Sequence, residues 1–269
     1  MSNFWQRTIT GALFIGAVIG SILAHPLLFS TLFLLVVIIG ISEFNFLVQD
    51  EKVKTQNLSG YLLGLGTFAL TVAYSHFAIE AKWFLCLIPL TITIFISELY
   101  RKQERPFWNI GMTLLSAIYV AVPFSFLVLY AYHFNGYNST MLLVFFAMVW
   151  MNDTGAYIVG VTMGKRKLFP RISPKKSWEG FFGGVLFTLL LAYIFSYYIV
   201  EVTKIDFIVM SLMISTFGTL GDLCESMLKR TMDIKDSGNI LPGHGGVLDR
   251  FDALIFTAPL IYAYFEFFK

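Results

Sequence analysis

The class of fold is visible in LLFSTLFLLVVIIGISEFNFLV, residues 27–48, where Glu43 is the single charged residue. A helix of about 17–25 apolar residues crosses the roughly 30 Å of hydrocarbon in a bilayer. We therefore predict that this stretch crosses a membrane. His25 and Pro26 alone separate it from another apolar run at 7–24, so the two runs should form a tight helical hairpin.

The composition of the whole chain also indicates a membrane protein. Of its 269 residues, 57% are apolar and 13% are charged, which is about half the charged fraction of a soluble domain. Seven further apolar runs follow, of which the last is short, at 58–77, 83–99, 107–133, 140–160, 180–200, 207–229 and 252–268. We predict an all-α polytopic membrane protein with about nine transmembrane helices.

The basic residues predict how these spans are oriented. With the N-terminus in the cytoplasm, 16 of the 19 Lys and Arg residues lie on one side, and Lys82, Lys204 and Lys269 lie on the other. Cytoplasmic loops carry such an excess, and a miscounted span would mix the two sides. We therefore predict a cytoplasmic N-terminus and a C-terminus on the opposite side. The predicted organisation is one integral membrane domain over 1–269, with N-terminal spans at 1–133 and C-terminal spans at 134–269.

Pairs of glycines four residues apart predict close contacts between helices. Three such pairs occur, at Gly16 and Gly20, at Gly60 and Gly64, and at Gly180 and Gly184.

The loop VTMGKRKLFPRISPKKSWEG, residues 161–180, holds six basic residues and one acidic residue. Ser173 followed by Pro174 is typical of a helix N-cap and first helical residue. Lys175 and Lys176 would then lie in the first helical turn, where cations oppose the helix dipole. We predict an anion receptor suited to phosphate. For each lysine alone, a role in topology and attraction to anionic lipid headgroups is the alternative.

The segment GDLCESMLKRTMDIKDSGNILPGHGGVLDRFD, residues 221–252, has a different chemistry. Four basic and four acidic residues lie between Lys229 and Asp252, so topology alone does not explain it. At helical spacing, Asp222, Ser226 and Arg230 share one face. Asp222 would lie near the bilayer, where a carboxylate is costly and usually functional.

Asp249 and Asp252, three residues apart, share a face at the start of the last span. With Asp222 they predict a Mg²⁺ site, because Mg²⁺ prefers a few carboxylates, water and phosphate oxygens. Cys and His are too few for a zinc site. A first-turn acid also complements the helix dipole, which could explain Asp252 by itself. His244 is either a phosphate ligand or a proton carrier.

Two further acidic positions need an explanation. NDTGAY, residues 152–157, places Asp153 and Thr154 near the inner leaflet. Glu43 lies within a span, so it is either bundle-facing and hydrogen-bonded or a minor site residue. Acidic metal ligands beside a basic anion site on the cytoplasmic side suit phosphoryl or nucleotidyl transfer to a lipid.

The run from Ser226 to Asp252, with SMLKR, KD, LPGHGG and DRFD in order, resembles the hallmark sequence of phosphatidate cytidylyltransferases, the CDP-diacylglycerol synthases. DTGAY from Asp153 and RISPKKSWEG from Arg171 are also typical of that family, so the resemblance covers roughly the C-terminal half. It implies that CTP and phosphatidate give CDP-diacylglycerol and pyrophosphate with Mg²⁺, and it leaves a second cation open. It also implies a homodimer in a bacterial-type inner membrane, with the active site facing the cytoplasm and no nucleic-acid partner.

The resemblance also implies roles for individual residues. The expected metal ligands are Asp222, Asp249 and Asp252. The other expected catalytic residues are Lys229, Arg230, Lys235, Asp236, His244 and Arg250. Substrate contacts are expected at Asp153, Ser173, Lys175, Lys176, Ser177, Glu179, Ser226, Gly245 and Gly246, where the glycines let the backbone bend and approach a ligand.

Three other functions are compatible with parts of the pattern. CDP-alcohol phosphotransferases need a DGxxAR motif, which the sequence lacks. A CTP-dependent polyprenol kinase would share a cytoplasmic CTP site. A transporter would place charges at the bilayer midplane, whereas here they collect at one face.

Overall fold

Long apolar runs adopt helices in a membrane, because a helix satisfies its own N–H and C=O groups where water is absent. The structure, a computed structural model, describes residues 3–234, 237–238 and 245–269, and of residues 3–7 the backbone alone. Its α-helices are α1 (Asn3–Ala24), α2 (Pro26–Val48), α3 (Asn57–Phe77), α4 (Leu87–Arg101), α5 (Pro106–Ser116), α6 (Val122–Tyr132), α7 (Ser139–Met163), α8 (Trp178–Tyr198), α9 (Lys204–Thr231) and α10 (Leu248–Phe268). A 3-10 turn over Ala81–Cys86 leads into α4, and a π-helical segment over Ala117–Ala121 joins α5 to α6.

The described residues contain eight helical stretches that are long and apolar enough to cross a membrane. They coincide with eight of the nine predicted spans, and the chain is therefore an all-α polytopic membrane protein. The remaining predicted span, 7–24, falls within α1. The described apolar part of that helix, Thr8–Ala24, is shorter than the other eight, so a ninth crossing stays a prediction.

Side chains at the helix starts explain where several helices begin. His25 caps α2 by accepting a hydrogen bond from the backbone N–H of Leu27, and Pro26 takes the first helical position, where its missing N–H costs nothing. Thr203 and Asp206 form a reciprocal capping box at the start of α9. Such caps satisfy backbone donors that have no partner inside the helix.

The loop between α7 and α8 corrects one prediction. Ser173 does not cap a helix, because Ser173–Ser177 forms strand β2, which pairs antiparallel with β1 (Lys167–Phe169). The cap of α8 is Ser177, whose hydroxyl accepts a hydrogen bond from the N–H of Gly180. Proline restrains the preceding residue to an extended conformation, which suits Ser173 in a strand. The two lysines therefore lie on β2 and not in a helical turn.

The chain divides into two units, Met1–Tyr132 with Asp236–Arg250, and His133–Lys235 with Phe251–Lys269. In the first unit, the rings of Phe29, Phe33 and Phe124 pack against one another and are fully buried. Glycines allow helices to approach here, as predicted for Gly60 and Gly64. A Cβ atom on Gly60 would lie 3.0 Å from the Ser116 hydroxyl oxygen.

A buried polar cluster also lies in the first unit. The carboxylate of Glu98 accepts hydrogen bonds from the side chains of Gln56, Asn109 and Arg101 at 2.6–2.7 Å. Asn109 in turn accepts from the backbone N–H of Lys54 at 2.7 Å. The cluster ties the end of α4 to the start of α5 and to the loop before α3, and it leaves Glu98 fully satisfied.

In the second unit, α7 and α8 pack closely through small residues. A Cβ atom on Gly155 would lie 2.7 Å from Cβ of Phe187, and one on Gly184 would lie 2.6 Å from Oδ1 of Asn152. The contact predicted at Gly180 and Gly184 is thus confirmed. The contact predicted at Gly16 and Gly20 is wrong for the described residues, since a Cβ atom there would meet none of their atoms within 4 Å.

Candidate active site

A cavity of about 380 Å³ in the second unit is lined by residues of α7, α8, α9 and α10 and of the hairpin β1–β2. The polar residues that line it, called the polar wall below, are Asn152, Asp153, Lys175, Lys176, Ser177, Thr219, Asp222 and Asp252. The apolar lining residues include Ala156, Tyr157, Val161, Leu168, Phe181 and Ala253. The cavity therefore offers both charged and hydrocarbon surface to a ligand.

Lys176 and Asp222 form an ion pair in the polar wall. Their side chains are 26% and 35% exposed, so water screens the pair only in part. The hydroxyl of Ser226, one turn along α9, donates a hydrogen bond to Oδ1 of Asp222 at 3.2 Å. The predicted helical face of Asp222 and Ser226 is thus confirmed. Each carboxylate oxygen of Asp222 has a partner, Ser226 at Oδ1 and Lys176 at Oδ2.

Asp252 adds a second carboxyl group to this wall. It interacts electrostatically with Asp222, Glu225 and Asp153, and with the ammonium of Lys176. The backbones of α9 and α10 approach closely beside it, because a Cβ atom on Gly221 would lie 2.6 Å from the carbonyl oxygen of Asp252. Like charges gathered this way repel unless a cation lies among them.

Glu225 is a cavity neighbour that is not among the predicted site residues. Its side chain is fully buried, and Nζ of Lys229 pairs with its Oε1 at 3.2 Å. Lys229, one of the expected catalytic residues, therefore pairs with a buried carboxylate one turn away. The pairing of Glu225 with Lys229 can be predicted from the sequence, because residues four apart on a helix are neighbours on its surface.

The loop side chains fall into separate groups. Glu179 accepts hydrogen bonds from the backbone N–H groups of Lys165 and Arg166 at 3.0–3.2 Å, and so holds the base of the hairpin. Arg230 donates from its guanidinium to the carbonyl oxygen of Ile234 at 3.0 Å. Within this unit, Ser173, Glu179, Ser226, Lys229 and Arg230 are not among the residues that line the cavity.

Four predicted residues lie in the first unit, near the start of α10. Oδ2 of Asp249 accepts hydrogen bonds from the backbone N–H groups of Ser237 and Gly246, at 3.0 and 2.8 Å, and Arg250 is exposed. Gly245 has φ +80°, a conformation that glycine adopts without strain. Gly246 is buried in close contact with Ser237 and Glu43, so both glycines have structural reasons to be there.

Three predicted catalytic residues, Lys235, Asp236 and His244, lie outside the described residues. The structure decides between the two alternatives for Glu43, which lies within a predicted span. It is bundle-facing and hydrogen-bonded, with three donors around its carboxylate.

The donors around the cavity fit a hard divalent cation. Mg²⁺ typically takes one or two carboxylates from the protein and completes its shell with water and substrate phosphates. Asp222 and Asp252 supply two interacting carboxylates of that kind. In the described part of the chain, no three His, Cys, Asp or Glu side chains form a ready-made metal site, so a protein-only cage of the zinc type does not arise there.

Comparison with known proteins shows the family of the chain. The sequence profile of the cytidylyltransferase family matches residues 5–268. The chain belongs to the cytidylyltransferase family. As a member of this family it is an integral membrane nucleotidyltransferase, and the resemblance seen in its C-terminal half extends over nearly the whole chain.

Individual relatives agree with this assignment. The phosphatidate cytidylyltransferase of Bacillus subtilis (strain 168) is 37% identical in an alignment of 271 positions that covers 97% of each chain. That of Staphylococcus haemolyticus (strain JCSC1435) is 33% identical over 95% of this chain and 96% of its own length. That of Staphylococcus aureus (strain COL) is 41% identical over 65% of this chain and 66% of its own length.

Proposed function

We propose that the protein is a phosphatidate cytidylyltransferase. It transfers the CMP group of CTP to phosphatidate, giving CDP-diacylglycerol and pyrophosphate in phospholipid biosynthesis. The observation that carries the proposal is the near full-length similarity to relatives of that name. The cavity supports it, because both charged and apolar residues line it, as a substrate with a phosphate head and acyl chains requires.

The reaction joins two anionic substrates without a covalent enzyme intermediate. A phosphate oxygen of phosphatidate forms a bond to the α-phosphorus of CTP, the bond from that phosphorus to the bridging oxygen breaks, and pyrophosphate leaves with the electron pair. Little covalent chemistry falls to the protein in such transfers, so positioning and charge neutralisation dominate. Lys176, in the polar wall beside the exposed Lys175, is placed to neutralise phosphate charge.

Asp222 and Asp252 are the residues of the cavity wall that would hold Mg²⁺, and Asp249 is the third predicted ligand. When bound, Mg²⁺ neutralises phosphate oxygens and orients them. Lys176 already pairs with Asp222, so its ammonium competes with a cation for that carboxylate. When Lys176 turns to a phosphate, it leaves the carboxylate available, which couples substrate binding to metal binding.

The orientation in the membrane is part of the proposal. We place the site on the cytoplasmic side of the bacterial inner membrane, because 16 of 19 Lys and Arg residues fall on that side in the predicted topology. CTP is a cytoplasmic nucleotide, so a cytoplasmic site gives it direct access. The homodimer implied by the family resemblance stays a prediction, which cross-linking in native membranes would test.

The activity is tested with labelled CTP and phosphatidate in detergent, with and without EDTA. We expect lipid-soluble label that comigrates with CDP-diacylglycerol, and we expect EDTA to abolish it and Mg²⁺ to restore it. A purified, folded protein that forms no such lipid would refute the assignment. A lipid product formed equally well in EDTA would refute the metal role alone.

A further inference from the structure

The first unit contains a buried carboxylate that the proposed mechanism does not use. Glu43 lies near the end of α2 and is 5% exposed. Its Oε1 accepts a hydrogen bond from the N–H of Val247 at 2.8 Å, and its Oε2 accepts from the N–H of Leu248 at 2.9 Å and from the hydroxyl of Ser237 at 3.2 Å. These donors lie 194 to 205 residues away in the chain.

The surroundings of Glu43 are shaped to admit this approach. Gly40, one turn earlier on α2, leaves room for Leu248, whose Cδ2 would lie 3.3 Å from a Cβ atom at that position. On the other chain segment, a Cβ atom on Gly238 would lie 2.7 Å from Oε1 of Glu43, and one on Gly246 would lie 2.6 Å from its Oε2. Glycines on both chain segments thus allow the backbone to reach the carboxylate.

A second carboxylate, that of Asp249, holds neighbouring backbone positions. Asp249 accepts hydrogen bonds from the N–H groups of Ser237 and Gly246. Ser237 is 1% exposed and is shared, because its hydroxyl bonds to Glu43 and its N–H bonds to Asp249. The residues that orient the Asp249 carboxylate are therefore residues that Glu43 holds or contacts.

We propose that Glu43 is a positioning residue for the reaction. It fixes the N–H of Val247, the N–H of Leu248 at the start of α10, and the hydroxyl of Ser237. Through them it sets the orientation of Asp249, without touching a substrate. This inference rests on the proposed function, in which Asp249 is a metal ligand. Buried, fully hydrogen-bonded supports of this kind keep reacting groups in place, and an error of about 1 Å can cost on the order of 100-fold in rate.

The test compares Glu43→Gln and Glu43→Asp with a matched control, Glu98→Gln. Gln at position 43 keeps the shape but turns one acceptor into an NH₂ group that faces a donor, whereas Asp keeps both acceptors on a shorter side chain. Glu98 is also buried in the first unit and also accepts three hydrogen bonds, but its partners lie on α4, α5 and the loop before α3. Each variant is purified in detergent, and its kcat and KM are expressed per folded enzyme.

We expect Glu43→Gln to lower kcat by roughly 10- to 100-fold and to leave the KM for CTP nearly unchanged, with Glu43→Asp recovering part of the loss. Hydrogen exchange at the amides of Val247 and Leu248 should become faster in Glu43→Gln alone. Glu98→Gln should lower the melting temperature and keep the wild-type kcat, since its role is structural.

Two results would overturn the inference. One is a Glu43→Gln enzyme with the wild-type kcat per folded molecule. The other is a Glu98→Gln enzyme that loses kcat as severely as Glu43→Gln, because any buried carboxylate would then serve. An inactive wild type would instead refute the proposed function, and hydrogen exchange would still test the Glu43 contacts without any activity.

Discussion

Replacing Lys176 by methionine should change the affinities for phosphate and metal in opposite directions. The change keeps most of the side-chain volume and removes the charge that pairs with Asp222. A hydrogen bond to a charged group contributes about 1.5–3 kcal/mol. Because a quarter to a third of each side chain is exposed, we discount this to about 1–2 kcal/mol, which is a factor of roughly 5–30.

The assay measures the transfer of label from CTP to lipid while CTP, phosphatidate and Mg²⁺ are varied in turn. We expect the KM for at least one phosphate substrate to rise roughly 5- to 30-fold, and the Mg²⁺ concentration for half-maximal activity to fall, because Asp222 loses its competing ammonium. Lys175→Met is the control. It removes the same charge from the neighbouring, exposed residue, and its effect should stay below about fivefold. Equal effects of the two substitutions, or unchanged constants for Lys176→Met, would refute the reasoning.

Three further substitutions test other parts of the account. Asp249→Asn should abolish turnover and leave membrane insertion intact, and substantial activity would remove Asp249 from the metal site. Gly155→Val should destabilise the contact of α7 with α8 by about 1–3 kcal/mol, seen as a lower melting temperature, whereas Gly16→Val, with open space around it, should not; equal melting temperatures would contradict the packing. Glu179→Gln should speed hydrogen exchange at the amides of Lys165 and Arg166, and unchanged exchange would mean that Glu179 does not hold the hairpin.

The membrane spans could be predicted from the sequence because the bilayer imposes a simple physical rule. A segment such as residues 27–48 has to be apolar and helical to cross hydrocarbon, and α2 covers it. The contact between Asp222 and Ser226 on α9 could also be predicted from the sequence, since helical spacing alone brings the two residues together. Both predictions depend on local periodicity.

The hairpin β1–β2 could not be predicted from the local sequence. Ser173 and Ser177 are equally good N-caps by residue type, and the pairing of β2 with β1 decides between them. No short motif encodes this pairing between strands. The local sequence therefore predicts a helical turn at Lys175 and Lys176, where the structure has strand β2. They still line the cavity, because the strand ends where α8 begins.

The hydrogen-bond partners of Glu43 could not be predicted from the sequence for a different reason. Burial of a carboxylate within a span indicates that it has hydrogen-bond donors, but those donors lie about 200 residues further along the chain. The environment of Gly246 could not be predicted for the same reason, because Glu43 lies about 200 residues away in the chain. The small size of Gly246 suggests access for a ligand, whereas the structure places the side chains of Ser237 and Glu43 against it.

The position of the label in CTP tests the central claim most directly. The purified protein is incubated with phosphatidate and Mg²⁺ and with CTP that is labelled at either the α- or the γ-phosphate, and the lipid is extracted. Cytidylyl transfer predicts that the α-label enters the lipid and that the γ-label leaves as pyrophosphate. A lipid that carries the γ-label would indicate a kinase and contradict the account, and so would a lipid that carries neither label.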